Sequence, residues 1–344
     1  MPSLKEIKGR INSISSTLAI TSAMKMVAAA KLQKAQMAIQ NMLPYERRLH
    51  SMLIDLMGAV NMSAPASEEG SARLVSLSNQ PDHTESEGAY SLMAQRQVRK
   101  VAIVAFASNS SLCGAFNSNV IREATAVINE YRASGLGDAD ITVYSVGRKM
   151  AEAMKKLGFP SPADFTRMSD SPSYEAASAL AQELLDGFVS GRFDKVELVY
   201  NHYKSTSSQP TTRQTYLPLS LADATADLQA GKITDSASET DTNRVAEPVG
   251  APVVRQGSPT TEDLIVEPSK EALIATLLPK VVRLRIFTTL LDSAAAEHAA
   301  RTVAMQLATD NGNDLLQELT LEYNKGRQQK ITSEILDLVG GSMQ

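Results

Sequence analysis

The sequence predicts an α/β protein: a long antiparallel coiled coil of N- and C-terminal helices with an inserted Rossmann-like α/β domain. Three observations predict it. Apolar residues recur in a heptad through the first 57 residues, a second helix-forming stretch occupies the C-terminal end, and β-branched runs alternate with helical segments between them.

The first helix is expected over residues 1–58. Ser3-Leu-Lys-Glu6 reads as a capping box, so helix should begin almost at once. No signal or transit peptide is legible, which disfavours an organellar precursor. Steps of three and four from Leu4 visit sixteen positions up to Leu56, and thirteen are apolar; Thr21, Lys25 and Glu46 are the exceptions. So sustained a pattern argues for a coiled coil rather than an ordinary surface helix. Pro44 predicts a kink. At 1.5 Å per residue such a helix reaches roughly 80 Å and needs a partner along it. From Ile11 to Ala30 it carries one charge, Lys25, yet its Ser, Thr and Asn content is too polar for lipid.

The partner is expected over residues 267–344. Met305, Ala308, Gly312, Leu315 and Leu319 follow the same steps, Ile331, Ile335 and Leu338 resume them, and Pro279 predicts a kink. Small-residue patches at Ala28–Ala30 and Ala294–Ala296 allow the two backbones to approach closely. Two long helices at opposite ends of one chain pair most simply antiparallel.

Residues 99–220 have a different rhythm. Lys100–Ser108, Asp140–Gly147 and Lys195–Tyr203 read as strands, and helices are expected near Asn119–Ala133, Arg148–Leu157 and Ser173–Ser190. This alternation implies a parallel sheet, with Gln214–Leu219 as a further candidate strand. Residues 59–98 read as a variable loop and 221–266 as an acidic flexible insertion.

The motifs argue against a catalytic or cofactor site. The loop after the first strand, Ser108–Gly114, has one glycine, and neither G-x-G-x-x-G nor G-x-x-x-x-G-K-[ST] occurs, so no backbone cradle for phosphate is expected. Cys113 is the sole cysteine, which excludes an internal disulfide and a cysteine-cluster metal site. None of His50, His83, His202 and His298 has a catalytic context or metal-ligand spacing. A net charge of −4 gives no reason to expect nucleic acid, although the first 50 residues set eight Lys/Arg against two Glu, as a helix facing acidic protein surface would.

Outward contacts are expected instead. Met24 and Met26 flank Lys25 at a seam position and suit a partner surface needing soft contact. Thr309, Asp310, Asn311 and Asn324 are polar residues within the second helix, either solvated or hydrogen-bonded to a third body. From the residues alone, an adaptor with a coiled-coil stalk, or an α/β enzyme dimerised by its helices, stays open beside a coil packed against a third body.

Four motifs in order, TSAMKMVAAAKL (21–32), SLCGAFN (111–117), EHAARTVAMQLATDNG (297–312) and EYNKGRQQKITSEILDLVGG (322–341), resemble the gamma subunit family of F-type ATP synthase. The resemblance covers most of the chain outside residues 60–97 and 222–262. It departs in three places: Ser-Asn-Ser-Ser precedes Leu112-Cys113-Gly114, the two long loops are enlarged, and Gly341 is followed by Ser342. It implies a non-catalytic rotor shaft with no cofactor, metal or nucleotide of its own. The implied partners are a hexamer of alpha and beta subunits, an epsilon subunit and a membrane ring of c subunits, on the cytoplasmic face of a bacterial inner membrane. It further implies subunit-contact or coupling roles for Met24, Lys25, Met26, Arg301, Arg327, Gln328, Thr332 and Glu334.

Overall fold

The computed structural model describes residues 3–62, 92–93, 96–219 and 270–341. In chain order the elements are α1 (Leu4–Met62), β1 (Val101–Phe106), α2 (Phe116–Ala133), β2 (Ile141–Val146), α3 (Arg148–Lys156), α4 (Thr166–Asp170), α5 (Tyr174–Val189), β3 (Lys195–Asn201), β4 (Thr211–Leu217) and α6 (Lys270–Gly341). Most of the expected loop at 59–98 and of the acidic insertion at 221–266 lies outside the described residues, as does His83.

The helix α1 starts as its sequence dictates. Ser3 Oγ accepts from the Glu6 amide at 3.2 Å, satisfying one of the donors that a helix start leaves unpaired. The reciprocal half of the capping box is replaced by an ion pair between Glu6 and Arg10 at 3.1 Å. Pro44 and Pro279 both sit inside continuous helix. All sixteen heptad positions from Leu4 to Leu56 are buried or half-buried, while Lys5, Lys8, Ser13 and Lys34 on the other faces are exposed.

On α6 the seam runs through Met305, Thr309, Gly312, Leu316, Leu319, Tyr323 and Gly326, none of them exposed. Ala308 and Leu315, expected in the seam, face outward; the pattern is shifted by one residue at those two steps. At the first of those steps there is a polar match. Thr309 Oγ1 lies 3.1 Å from Thr21 Oγ1, so the non-apolar position of α1 meets a non-apolar position of α6. Thr309 thus belongs to the seam, not to an outward contact. Two glycines give the antiparallel pair its close approach. A Cβ at Gly312 would stand 2.6 Å from Leu18 Cδ2, and one at Gly326 would stand 3.1 Å from Leu4 Cδ2.

The inserted sheet has the order β2-β1-β3-β4. β1 pairs in parallel with β2 and β3, as the βαβ rhythm predicts, but β4 is antiparallel to β3. The connection from Asn201 to Thr211 is too short for a crossover helix, so the chain turns back on itself. β1 is buried along its whole length, which is why its sequence VAIVAF shows no alternation. Val101, Ile103 and Ala105 pack on α2 and α3; Ala102, Val104 and Phe106 share a core with α5, the early turns of α6 and Leu49, Leu53 and Leu56 of α1. The short α4, absent from the sequence expectation, closes the gap before α5.

Two charged or polar sites sit inside this core. Glu197 on β3 is buried and accepts hydrogen bonds from Tyr131 (2.6 Å) and Arg213 (2.7 Å), with Lys195 Nζ at 2.7 Å. Burial alone would raise its carboxyl, but those donors hold it below the usual range. His50, with Nδ1 unpartnered, is pushed down to about 4, first by burial and then by the Arg285 charge.

An acid sensitivity follows. The folded chain keeps His50 neutral while the unfolded chain protonates it near 6.5, so its contribution to stability is complete above 6.5 and is lost as pH falls toward 4. The loss amounts to at most about 1.4 kcal/mol per pH unit. Between pH 7 and pH 5 the urea midpoint of a His50→Leu variant should fall less than that of the wild type. An equal fall in both would show that His50 does not carry the effect.

Candidate functional site

Two surfaces stand out, one on the coil and one where the coil meets the sheet. On the coil, Met24 and Lys25 are half-buried and Met26 is 66% exposed. Ile20 and Val27 are exposed on the same helix. Mostly small side chains from Thr21 to Ala30 thus leave an outer face that is apolar, with Lys25 as the single charge of the stretch. Helix α6 outruns α1. Gly326 lies against Leu4, so residues 327–341 project past the start of α1 by about 22 Å at 1.5 Å per residue. Every described side chain from Arg327 to Val339 is exposed, including Ile335, Leu336 and Leu338. Arg327, Gln328, Thr332 and Glu334 all belong to this bare segment. Thr332 Oγ1 returns to the Gln328 carbonyl at 2.9 Å, and Glu334 lies 3.8 Å from Lys330. The sequence positions singled out for contact therefore fall in two separate places along the coil.

Arg301 is engaged inside the chain. Its Nη1 donates to Glu297 Oε1 at 2.6 Å and its Nη2 to Ser110 Oγ at 2.7 Å, and only 11% of its side chain is exposed. Burial raises the Glu297 carboxyl, Arg301 and Lys31 draw it back, and the net shift is upward. The neighbouring His298 is pushed down to about 4 by burial, then by Arg301 and Lys31.

Ser110 belongs to the Ser108–Gly114 loop at the carboxyl end of β1. Asn117 fixes that loop: its Oδ1 accepts from the Ser108 amide at 3.0 Å and its Nδ2 reaches Cys113 Sγ at 3.2 Å. Cys113 is buried against Phe116 and Ala296, an apolar packing role. Gly147, at the end of β2, has φ +98 and lies so near β1 that a Cβ there would stand 2.0 Å from the Ala107 carbonyl oxygen.

In an open parallel sheet the crevice beyond the carboxyl ends of the strands is where ligands bind. Here α6 crosses it. Leu290, Ser293, Ala294 and Glu297 cover the ends of β1 and β2, leaving a water-sized space that they share with Phe106, Ala107, Val146 and Ser169. The loop after β3 is held by the same helix. Asp292 Oδ1 accepts from the Tyr203 amide at 2.9 Å, and Oδ2 lies 2.6 Å from His202 Nδ1. Tyr203 in turn accepts at its hydroxyl from Gln36 Nε2 of α1 at 2.6 Å. Sequence reasoning missed Ser110, Asp292 and Gln36, because each works through a partner at least 89 residues away. No helix among the described residues is long and apolar enough to cross a membrane.

Comparison with known proteins agrees with this architecture. Residues 3–343 match the family described as ATP synthase. The ATP synthase gamma chain of Phocaeicola vulgatus is 49% identical over 343 residues, covering 100% of both chains, and that of Bacteroides thetaiotaomicron is 46% identical over 344 residues with the same coverage. Among solved structures, a chain in the Euglena gracilis mitochondrial ATP synthase (OSCP, F1 and c-ring, rotational state 3) superposes with a TM-score of 0.54 at 19% identity. The alignment covers 99% of this chain and 93% of that one, and supports the same fold.

Proposed function

The chain belongs to the ATP synthase family as a gamma chain, the central stalk of the F-type enzyme, and we propose that it couples rotation of a membrane ring to ATP synthesis or hydrolysis at catalytic sites held by other subunits. The observation that carries this reading is the bare end of α6 beyond Gly326: 15 residues of helix with every described side chain exposed. Such a segment suits an enclosing sleeve. In this reading the coil turns inside a hexamer of alpha and beta subunits, and the α/β domain meets an epsilon subunit and the c-ring. The assembly sits on the cytoplasmic face of a bacterial inner membrane.

Coupling then works by differential contact. Each orientation of the coil touches the three beta subunits differently and so shifts the open–closed equilibrium of each. Met24, Lys25 and Met26 supply contact midway along α1; Arg327, Gln328, Thr332 and Glu334 supply it on the tip. Arg301 acts from inside the chain by holding Glu297 and Ser110 together.

The test is reconstitution. Added to purified alpha and beta subunits of the same enzyme, the chain should restore cooperative ATP hydrolysis while binding no nucleotide alone. Absence of any hydrolysis would favour an adaptor with a coiled-coil stalk. A Met24→Lys variant places a second charge on that stretch. In inverted vesicles, ATP-driven ion pumping should fall several-fold while hydrolysis persists; an unchanged ratio of pumping to hydrolysis would remove Met24 from the coupling surface.

A further inference from the structure

The carboxyl edge of the sheet, where a ligand would ordinarily sit, is joined to α6 by two polar clamps on opposite sides of that helix. One is Asp292, which accepts from the Tyr203 amide and faces His202 in the loop after β3. The other is Arg301, which reaches Ser110 in the loop after β1. Nine residues separate them, and at about 100° per residue that is two and a half turns, so their Cα–Cβ bonds leave the helix on opposite sides. Neither loop is free to follow a rolling helix. Asn109 holds the first through its Nδ2, which donates to the Thr166 carbonyl at 2.7 Å, and its Oδ1, which accepts from the Arg148 amide at 2.7 Å. The second is held to α1 as well, through Gln36 and Tyr203.

We propose that Ser110 and Asp292 are positioning residues that carry torque between the α/β domain and the coil. This rests on the shaft reading above. The mainly apolar interface of α6 with the sheet and α5, through Leu278, Val282, Ile286 and Leu290, resists separation; its two hydrogen bonds, Tyr216 hydroxyl to the Val282 carbonyl at 2.9 Å and Arg283 to Gln182 at 2.5 Å, lie in the early turns of α6, away from the carboxyl edge. It resists rolling poorly, because apolar contact has no directional preference. Hydrogen bonds weaken steeply once the donor angle closes. Two of them on opposite sides of one helix oppose rotation in either sense, as a force couple does.

The test uses the chain assembled with its alpha and beta subunits. The collar is fixed to a surface, and a bead is attached to the α/β domain through a cysteine introduced at Lys155 on the exposed face of α3; Cys113 is buried and does not compete. Without nucleotide, the angular fluctuations of the bead report torsional stiffness. In a Ser110→Ala/Asp292→Ala variant their variance should rise about twofold, as expected if half the restoring stiffness lies in directional hydrogen bonds. Hydrolysis in solution should stay at the wild-type rate, and Ser110→Thr, which keeps the hydroxyl, should restore the variance at that clamp. Unchanged variance in the double variant overturns the proposal. If that variant fails to assemble, Ser110→Ala alone serves, since it leaves the Arg301–Glu297 pair whole, and unchanged variance there is equally decisive. A wild-type complex that does not hydrolyse ATP would instead overturn the shaft reading.

Discussion

A Gly147→Ala variant should fail to hold the α/β domain together. The added Cβ would stand 2.0 Å from the Ala107 carbonyl oxygen and 2.8 Å from its carbon, both backbone atoms that cannot swing aside. Relief requires β1 and β2 to separate at their carboxyl ends, where the Ala107 amide donates to the Val146 carbonyl at 2.8 Å. The φ of +98 adds strain of its own for an L side chain. Together these should remove about 4 kcal/mol or more, the range reserved for substitutions with a named structural lesion. Gly158→Ala provides the control. It also has positive φ, +91, but nothing lies within 4 Å of the new Cβ, so only the conformational cost of a Cβ at positive φ, about 1–2 kcal/mol, should appear. Urea midpoints of the two purified variants decide the matter; equal losses would mean that the close approach is not what Gly147 serves.

The second large effect is expected at Arg301. Replacing it with Ala leaves Glu297, 7% exposed, without its ion-pair partner. Breaking a buried pair from one side costs about 3–5 kcal/mol, whereas replacing both partners with apolar or neutral residues is often close to neutral. Arg301→Met combined with Glu297→Gln should therefore recover most of the stability that Arg301→Ala loses. The pH dependence fixes the cause. The Glu297 carboxyl already titrates above its ordinary value because of burial, so the folded chain takes up its proton before the unfolded chain does. That sign makes the native state gain stability as pH falls toward the raised value. Without Arg301 the gain should steepen. Denaturation of Arg301→Ala and wild type side by side at pH 8 and pH 6 should show the gap between them narrow at the lower pH, and an equal gap at both would exclude an uncompensated carboxylate as the source.

The degree to which these features were legible in the sequence varied with their range. The α1 seam was fully legible, because a repeat of three and four steps over sixteen positions leaves no second phase to choose. The α6 seam was legible only in part. Scoring by apolarity favoured Ala308 and Leu315, and could not see that Thr309 meets Thr21 across the coil. The three parallel strands followed from β-branched runs, but α4 spans one turn and has no period to detect. Arg327, Gln328, Thr332 and Glu334 were singled out through their motif, and all four lie exposed on the bare end of α6. The clamps at Ser110 and Asp292 were not, since an isolated serine or aspartate carries no local pattern and its partner lies far along the chain.

Gly312 and Gly326 are fourteen residues apart, and so are Leu4 and Leu18, which fill them. Fourteen residues are two heptads, so the two knobs and two holes coincide in one alignment of the helices and jointly reject every other. Twisting a two-stranded rope ordinarily makes its strands creep past each other. A double key of this kind opposes the creep, because sliding α6 along α1 would drive both leucines out of their holes at once. The shaft can then serve as a pointer as well as an axle: the register in which the tip emerges from the coil is written in the sequence.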